Sequence, residues 1–167
     1  SSWVMKGIIE FLCSDCEEAN LLRSSFVFKI IPMMNPDGVV CGNYRTSLAG
    51  CDLNRRWINP NEILHSEIFY TKQMILSLHE QRDIKMVVDF HGHSGATNIF
   101  MYGNEISENP NESKVFPMLI SKMSSCFNFP QCTFKMSKGK YGTARINLYH
   151  ELDIANVFTV EASFWGI

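Results

Sequence analysis

The chain has 167 residues, of which 46% are hydrophobic and 19% are charged, and its formal net charge at pH 7 is -2. This composition is typical of a globular α/β or α+β domain, and a chain of this length buries a core without disulfide bonds. The weakly acidic charge excludes the basic surface that attracts nucleic acid or anionic lipid, and no apolar run reaches the roughly 18 residues of a membrane span.

Six cysteines are spread along the chain, at positions 13, 16, 41, 51, 126 and 132. Cys13 and Cys16 form a CxxC pair, but a zinc module of this kind needs a second CxxC or an HxxxH, and neither follows. We therefore expect reduced thiols and no disulfide framework, with a redox or zinc role of the CxxC pair as the alternative.

The first half of the chain is predicted to contain two helices and a strand. Apolar residues recur at helical spacing over 2–12, and the apolar, β-rich stretch 26–34 predicts a buried strand that ends in the turn sequence NPDG at 35–38. A loop with glycine, asparagine and arginine continues to about Trp57. Helical spacing returns over 63–78.

Strands predominate in the second half. They are predicted at 86–90, 98–102, 133–136 and 156–162. A polar loop at 103–114 precedes a predicted helix at 115–127, and a Lys/Gly-rich loop, SKGKYGTAR, occupies 137–145. Because helices alternate with apolar strands, we predict an α/β fold with a mixed, mostly parallel central sheet flanked by helices. Ligands of such sheets bind in the loops beyond the strand ends.

Ionisable residues occur where two predicted strands end. His91 and His93 close the strand at 86–90, in the motif DFHGHSG, and Glu161 lies in the apolar context FTVEASFW. A buried carboxylate costs several kcal/mol unless it is paired or binds a metal. Glu161 is therefore out of place on packing grounds alone.

The loop after the first predicted strand adds Arg45, Asn54 and Arg55. A histidine, a glutamate and a pair of arginines at strand ends are consistent with a metal ligand, a base and an anion clamp. Each also has a structural alternative. His91 fits a hydrogen-bonded core histidine, Glu161 fits half of an ion pair, and Arg55 fits a surface charge.

Eight motifs follow one another along nearly the whole chain: NPDG, GNYR, DLNRRW, LHSEIFYTKQ, DFHGHS, MYG, KYGTAR and FTVEASFWG. The series resembles the zinc metallocarboxypeptidases, and in detail their cytosolic carboxypeptidase branch. That branch removes C-terminal or branch-point glutamates from tubulin and other proteins. The resemblance implies a carboxypeptidase-like fold, one zinc ion, a cytoplasmic location, and polypeptide C-termini such as those of polyglutamylated tubulin as substrates.

The resemblance also implies a role for each candidate residue. His91 matches the third zinc ligand, and Glu161 matches the general base that acts on the zinc-bound water. Arg45 matches the arginine that polarises the scissile carbonyl. Asn54 and Arg55 match the pair that binds the terminal carboxylate of the substrate.

Three further residues match substrate-binding positions. His93 matches a position that faces the cleft. Tyr149 lies where the secreted branch keeps a mobile tyrosine, although the loop between it and Glu161 differs in length. Arg145, in the GTxR pattern, is expected to bind the acidic side chain of the last substrate residue, with a solvated basic loop as the alternative.

The chain departs from the family where the first two zinc ligands are expected. The family takes them from an HxxE motif just before the segment that matches residues 1–3, and this chain contains no HxxE. His65 and Glu67 form only an HxE at a non-ligand position. We therefore predict that residues 1–167 are a partial catalytic domain, truncated at both ends, with two of three zinc ligands upstream of Ser1. The isolated fragment is predicted to be inactive.

Two other functions fit the same residues. The chain could be a non-catalytic module that keeps Arg45, Asn54 and Arg55 as a clamp for C-terminal carboxylates. It could also be a related zinc hydrolase of small amides. The Asn54 and Arg55 pair argues against the second alternative, because that pair serves a terminal carboxylate.

Overall fold

A three-stranded sheet organises the part of the chain described by this computed structural model, residues 1–106 and 108–165. The central strand is β3 (Val157–Ser163), with β1 (Val87–His93) parallel to it on one side and β2 (Ile99–Tyr102) antiparallel on the other. The predicted α/β class with a mixed sheet is confirmed. The predicted domain of 1–167 also includes Ser107, Gly166 and Ile167, which lie outside the described residues.

Six α-helices occur in the described residues: α1 (Ser2–Leu12), α2 (Glu17–Ser25), α3 (Pro36–Cys41), α4 (Ser66–Gln81), α5 (Glu112–Met123) and α6 (Ala144–Leu152). Short 3-10 turns occupy Leu53–Arg55, Phe129–Gln131 and Lys138–Lys140. The chain divides into two compact units, Ser1–Met34 and Asn35–Ile167. The first contains α1 and α2, and the second contains the sheet and the other helices.

In the first unit, Arg23 closes the connection between α1 and α2. Its guanidinium donates to the carbonyl oxygens of Leu12 and, at 2.7 Å, Ser14. The predicted strand at 26–34 is wrong, since no strand of the described chain pairs with it and Val27 and Phe28 are 61% and 43% exposed. Aromatic and β-branched residues favour a strand only where a neighbour satisfies the backbone groups.

The predicted turn at 35–38 is the first turn of α3. The Asn35 side-chain oxygen accepts a hydrogen bond from the Gly38 N–H at 3.0 Å, and Pro36 occupies the first helical position. The helix ends at Gly42, whose φ of 72° lies in the left-handed region that favours glycine. The same residues that favour a turn therefore start and end a short helix.

Helix α6 occupies a stretch for which the sequence predicts no helix. Ile146 and Leu148 are fully buried and Arg145 is nearly so, which leaves no one-sided apolar pattern to mark a surface helix. The predicted helices at 63–78 and 115–127 are confirmed as α4 and α5, with shifted ends. The predicted strand at 133–136 is reduced to a single bridge between Thr133 and Tyr102.

The two faces of the sheet differ in polarity, because successive strand residues point to opposite sides. One face belongs to an apolar core of Met101, Phe127, Phe158 and Val160, with Phe116 of α5 packed on it. The opposite face carries Asp89, His91 and His93 of β1 beside Thr159, Glu161 and Ser163 of β3. The polar face is therefore the place for a site.

Replacing Phe158, which is fully buried, by alanine should lower the free energy of unfolding by about 3–5 kcal/mol, because a cavity remains in the core. Urea denaturation measures the change. Val40→Ala on α3 is the control, since Val40 is 85% exposed and its loss should matter by less than about 0.5 kcal/mol. Equal effects of the two substitutions would contradict the position of Phe158 in the core.

Candidate active site

His91 and Glu161 lie directly opposite each other on neighbouring strands, near the ends of β1 and β3. Burial raises the pKa of the Glu161 carboxyl, an effect that His91 and His93 partly offset. The parallel register therefore brings together two residues that are 70 positions apart in the sequence, as the numbering shows. It places a carboxylate and an imidazole at one edge of the polar face.

Asp89 holds the His91 ring. The His91 Nε2 atom lies 2.7 Å from the Asp89 carboxylate, which also accepts a hydrogen bond from the Asn54 amide at 3.1 Å. Burial lowers the pKa of His91, but the hydrogen bond and charge of Asp89, with Glu161, outweigh it, so the pKa lies above its ordinary value. Sequence reasoning missed Asp89, although its spacing of two from His91 on a strand indicates that both share a face.

Asn54 connects three parts of the site. The side-chain NH2 group of Asn54 donates to Asp89 and lies 3.3 Å from His91 Nε2. The side-chain oxygen of Asn54 accepts a hydrogen bond from the Ala144 N–H at 2.9 Å. Ala144 is the first residue of α6, so this contact satisfies a backbone donor that a helix start leaves unpaired. Asn54 thus joins the loop, β1 and α6.

Asp52 gathers the two arginines of the loop. One of its carboxylate oxygens lies 2.7 Å from Nη1 of Arg45 and 3.7 Å from Nη1 of Arg55. The other oxygen accepts the Asn54 N–H at 2.9 Å. The hydrogen bond and charge of Asp52 raise the pKa of Arg45. Sequence reasoning missed Asp52 as well, although an aspartate just before a helical turn is a common capping residue.

Arg145 is a buried cation. It is 6% exposed, and its Nη1 atom donates to the Gly103 carbonyl and, at 2.7 Å, to the Asn104 side-chain oxygen. Burial lowers the pKa of Arg145 to about 10, which leaves it charged at neutral pH. No carboxylate in the described chain forms an ion pair with it. The alternative of a solvated basic loop is therefore wrong for Arg145.

Tyr102 of β2 stands within electrostatic reach of both Arg145 and Glu161. Burial and the Glu161 charge raise the pKa of Tyr102, and Arg145 opposes them. The charges of Glu161 and Arg145 therefore both act on the Tyr102 hydroxyl, in opposite directions.

His93 and Tyr149 occupy different surroundings. The Nδ1 atom of His93 accepts the N–H groups of Gly95 and Ala96, both at 3.0 Å, so the ring proton is on Nε2 when the ring is neutral. Its charge lowers the pKa of Glu161, which places it beside the site. Tyr149 lies farther along α6, and no contact in the described chain joins its side chain to His91 or Glu161.

Tyr141, which sequence reasoning did not select, lies in the loop whose next residue contacts Arg55. It precedes Gly142, whose backbone packs so tightly on Arg55 that an added Cβ would lie 2.7 Å from the Arg55 carbonyl oxygen. Its ring stacks on His150, with centroids 5.4 Å apart. The glycine between Tyr141 and α6 was the available signal for this close approach.

The described residues offer one candidate metal ligand, His91. Asp89 engages Nε2 of His91 and leaves Nδ1 for a metal, which is the usual arrangement of a carboxylate that orients a ligating histidine. Among residues 1–106 and 108–165, no group of three or more His, Cys, Asp or Glu side chains is placed to hold a metal ion. All six cysteines lie in this part of the chain and are free thiols.

The chain belongs to the zinc carboxypeptidase family, which matches residues 1–152. It is 47% identical over 169 residues to cytosolic carboxypeptidase 2 of Danio rerio, covering 99% of this chain and 23% of that protein. It is 42% identical over 173 residues to cytosolic carboxypeptidase 3 of Mus musculus, covering 99% of this chain and 17% of that protein. The chain therefore spans less than a quarter of these relatives. The family resemblance of the motifs is confirmed.

Solved structures show the same fold. A metallo-carboxypeptidase from Burkholderia cenocepacia superposes with a TM-score of 0.82 at 24% identity, covering 98% of this chain and 44% of that one. A putative carboxypeptidase A from Shewanella denitrificans superposes with a TM-score of 0.82 at 26% identity, with the same coverage. Zinc is the metal that the family name implies. No helix in the described residues is long and apolar enough to cross a bilayer.

Replacing Asn54 by alanine should leave the Ala144 N–H without a partner, and the Asp89 carboxylate should keep His91 but lose the Asn54 amide. We expect a loss of about 1–3 kcal/mol in stability and roughly 5- to 150-fold faster hydrogen exchange at the Ala144 amide. Asn111→Ala is the matched control, because Asn111 precedes α5 without a capping bond from its side chain. Unchanged exchange at Ala144 would contradict the bridging role of Asn54.

Proposed function

We propose that the chain is part of the catalytic domain of a zinc-dependent carboxypeptidase that hydrolyses C-terminal glutamate from protein tails, such as those of polyglutamylated tubulin. The observation that carries the proposal is the buried guanidinium of Arg145, which no carboxylate of the described chain neutralises. A buried charge is costly without an opposite charge. The acidic side chain of the last substrate residue would supply that charge. The names of the relatives support a cytoplasmic location.

The terminal carboxylate of the substrate is assigned to Asn54 and Arg55, and the scissile carbonyl to Arg45. A guanidinium fork suits a planar carboxylate, and its permanent charge suits an oxygen that becomes negative. Arg45 is 57% exposed in its pair with Asp52. Exposed ion pairs of this kind contribute about 0–1 kcal/mol, so Arg45 can exchange Asp52 for a substrate oxygen at little cost.

Glu161 is assigned as the general base. It would take a proton from the attacking water and deliver it to the nitrogen of the leaving amine. Its half-buried position raises the pKa of the carboxyl, which makes it a better proton acceptor than an exposed glutamate. His93, beside Glu161, is proposed to contact the substrate. The same proposal for Tyr149 has weaker support, because of its position on α6.

His91 is proposed as one of three protein ligands of one zinc ion, through Nδ1, with the other two contributed by residues outside 1–167. When bound, zinc would lower the pKa of water toward about 7 and polarise the scissile carbonyl. A single imidazole holds zinc weakly. Residues 1–167 alone are therefore expected to bind zinc weakly and to turn over little substrate.

The first test uses the full-length protein, incubated with zinc and with peptides that end in Glu, Asp, Leu and Lys. We expect release of glutamate, and a loss of about 10²- to 10⁴-fold in Glu161→Gln, because the general base is gone. Quantification of free amino acids measures both. Glu105→Gln, at an exposed position, is the matched control.

Other outcomes separate the alternatives. Release of leucine or lysine instead would keep the mechanism and overturn the specificity. Binding of the peptides without release of any amino acid would favour the non-catalytic carboxylate clamp. Hydrolysis of small N-acyl amides in place of peptides would favour the related amide hydrolase.

The second test concerns specificity. Arg145→Ala should reduce kcat/KM for peptides that end in glutamate by roughly 30- to 5000-fold, which corresponds to about 2–5 kcal/mol for losing one partner of a buried charge pair. Peptides that end in leucine should be affected far less, and they serve as the internal control for folding. An equal loss on both peptides would remove Arg145 from the pocket.

A further inference from the structure

Asn104 holds Arg145 at two points. The Asn104 side chain is fully buried, and its oxygen accepts a hydrogen bond from Nη1 of Arg145 at 2.7 Å. Its amide group donates to the backbone carbonyl of Arg145 at 3.3 Å and to that of Val157, at the start of β3, at 3.4 Å. The guanidinium and the backbone of Arg145 are thus tied to one side chain.

Asn104 is itself fixed from a third direction. The hydroxyl of Ser113, a fully buried residue in the first turn of α5, donates to the Asn104 backbone oxygen at 2.6 Å. Both ends of the Asn104 amide are hydrogen-bonded and no water is needed to satisfy them. A satisfied buried network of this kind holds its members rigidly.

The amide at position 104 gives Arg145 a fixed geometry without neutralising it. An aspartate has the same shape and would place a carboxylate oxygen 2.7 Å from Nη1, where the Asn104 oxygen now lies. That contact would be an ion pair between two charged groups, whereas the present bond joins a charged donor to a neutral acceptor. The two acceptors of Nη1, in Gly103 and Asn104, are both uncharged oxygens, so the positive charge stays available.

The same contacts leave part of the guanidinium for a ligand. The bonds to Gly103 and Asn104 both use Nη1, whereas Nη2 and Nε carry further N–H donors in the same plane. A carboxylate binds such an edge with two parallel hydrogen bonds.

We propose that Asn104 is a positioning residue for acid specificity, which aims Arg145 at the side-chain carboxylate of the substrate and keeps its charge uncompensated. The inference rests on the proposed function, because that function assigns Arg145 to the pocket. It adds a residue that touches no substrate and acts only through Arg145.

The test is Asn104→Asp in the full-length protein, with kcat and KM measured on peptides that end in Glu, Gln and Leu. The new carboxylate should compete with the substrate for Arg145. We expect KM for the Glu peptide to rise at least about tenfold, while KM for the Gln and Leu peptides changes less than about twofold. Asn109→Asp is the matched control, because it makes the same charge change at an exposed position of the same loop.

Each outcome has a distinct meaning. The proposed function, and this inference with it, would be overturned by either of two results. One is a wild-type protein that does not prefer the Glu peptide, and the other is an Arg145→Ala variant that still prefers it. Loss of the preference in Arg145→Ala but not in Asn104→Asp would overturn the inference alone. Equal losses on the three peptides in Asn104→Asp would show a merely structural role and would also overturn it. If Asn104→Asp does not fold, Asn104→Ser is judged by the same criteria, since a shorter side chain no longer reaches Nη1.

Discussion

The parallel register between β1 and β3 is the constraint on which the rest of the structure depends. It sets His91 opposite Glu161 on one face of the sheet, and it sets Phe90 opposite Val160 on the other. A slip of one residue would exchange the two faces, burying Asp89 and His91 in the core and exposing apolar side chains. The packing of Phe158 and Val160 in the core therefore also fixes the geometry of the polar face.

Polar bonds attach the loop at 42–57 to this face, and the loop also buries the side chains of Leu53 and Trp57. Asn54 reaches Asp89, 35 positions later, and Ala144, 90 positions later. Asp52 holds the neighbouring arginines from the same loop. Such contacts have strict geometry, because a hydrogen bond weakens steeply when its donor turns away. The loop is thereby held in register with both β1 and α6.

The parts of the fold that sequence could predict are those with a local pattern. The apolar runs at β1 and β3 mark their strands without any partner, and period two alone relates Asp89 to His91. The segment at 26–34 has the composition of a strand, but no neighbouring strand in the described chain completes it. Helix α6 is buried around Ile146 and Leu148, so its sequence lacks the one-sided apolar pattern, of period 3.6, that indicates a surface helix. The hydrogen bonds of Asn54 to Asp89 and Ala144 join residues far apart in the sequence, so no local sequence pattern predicts them.

The arginines of the candidate site differ in the groups that already neutralise their charge, and in the proposed function this difference separates substrate binding from substrate specificity. Arg45 and Arg55 share the carboxylate of Asp52 near the surface, where a substrate carboxylate or carbonyl must compete with an internal partner in a solvated, weakly coupled environment. Arg145 has only neutral partners and almost no contact with water. An anion that reaches Arg145 meets no competitor, and the low dielectric strengthens its attraction. A substrate whose last side chain is not acidic leaves the buried charge of Arg145 unpaired. Binding of that substrate then carries a free-energy cost, in addition to lacking the favourable ion pair. In the proposed function the buried arginine therefore discriminates between substrate ends, whereas Arg55 recognises only that an end is present.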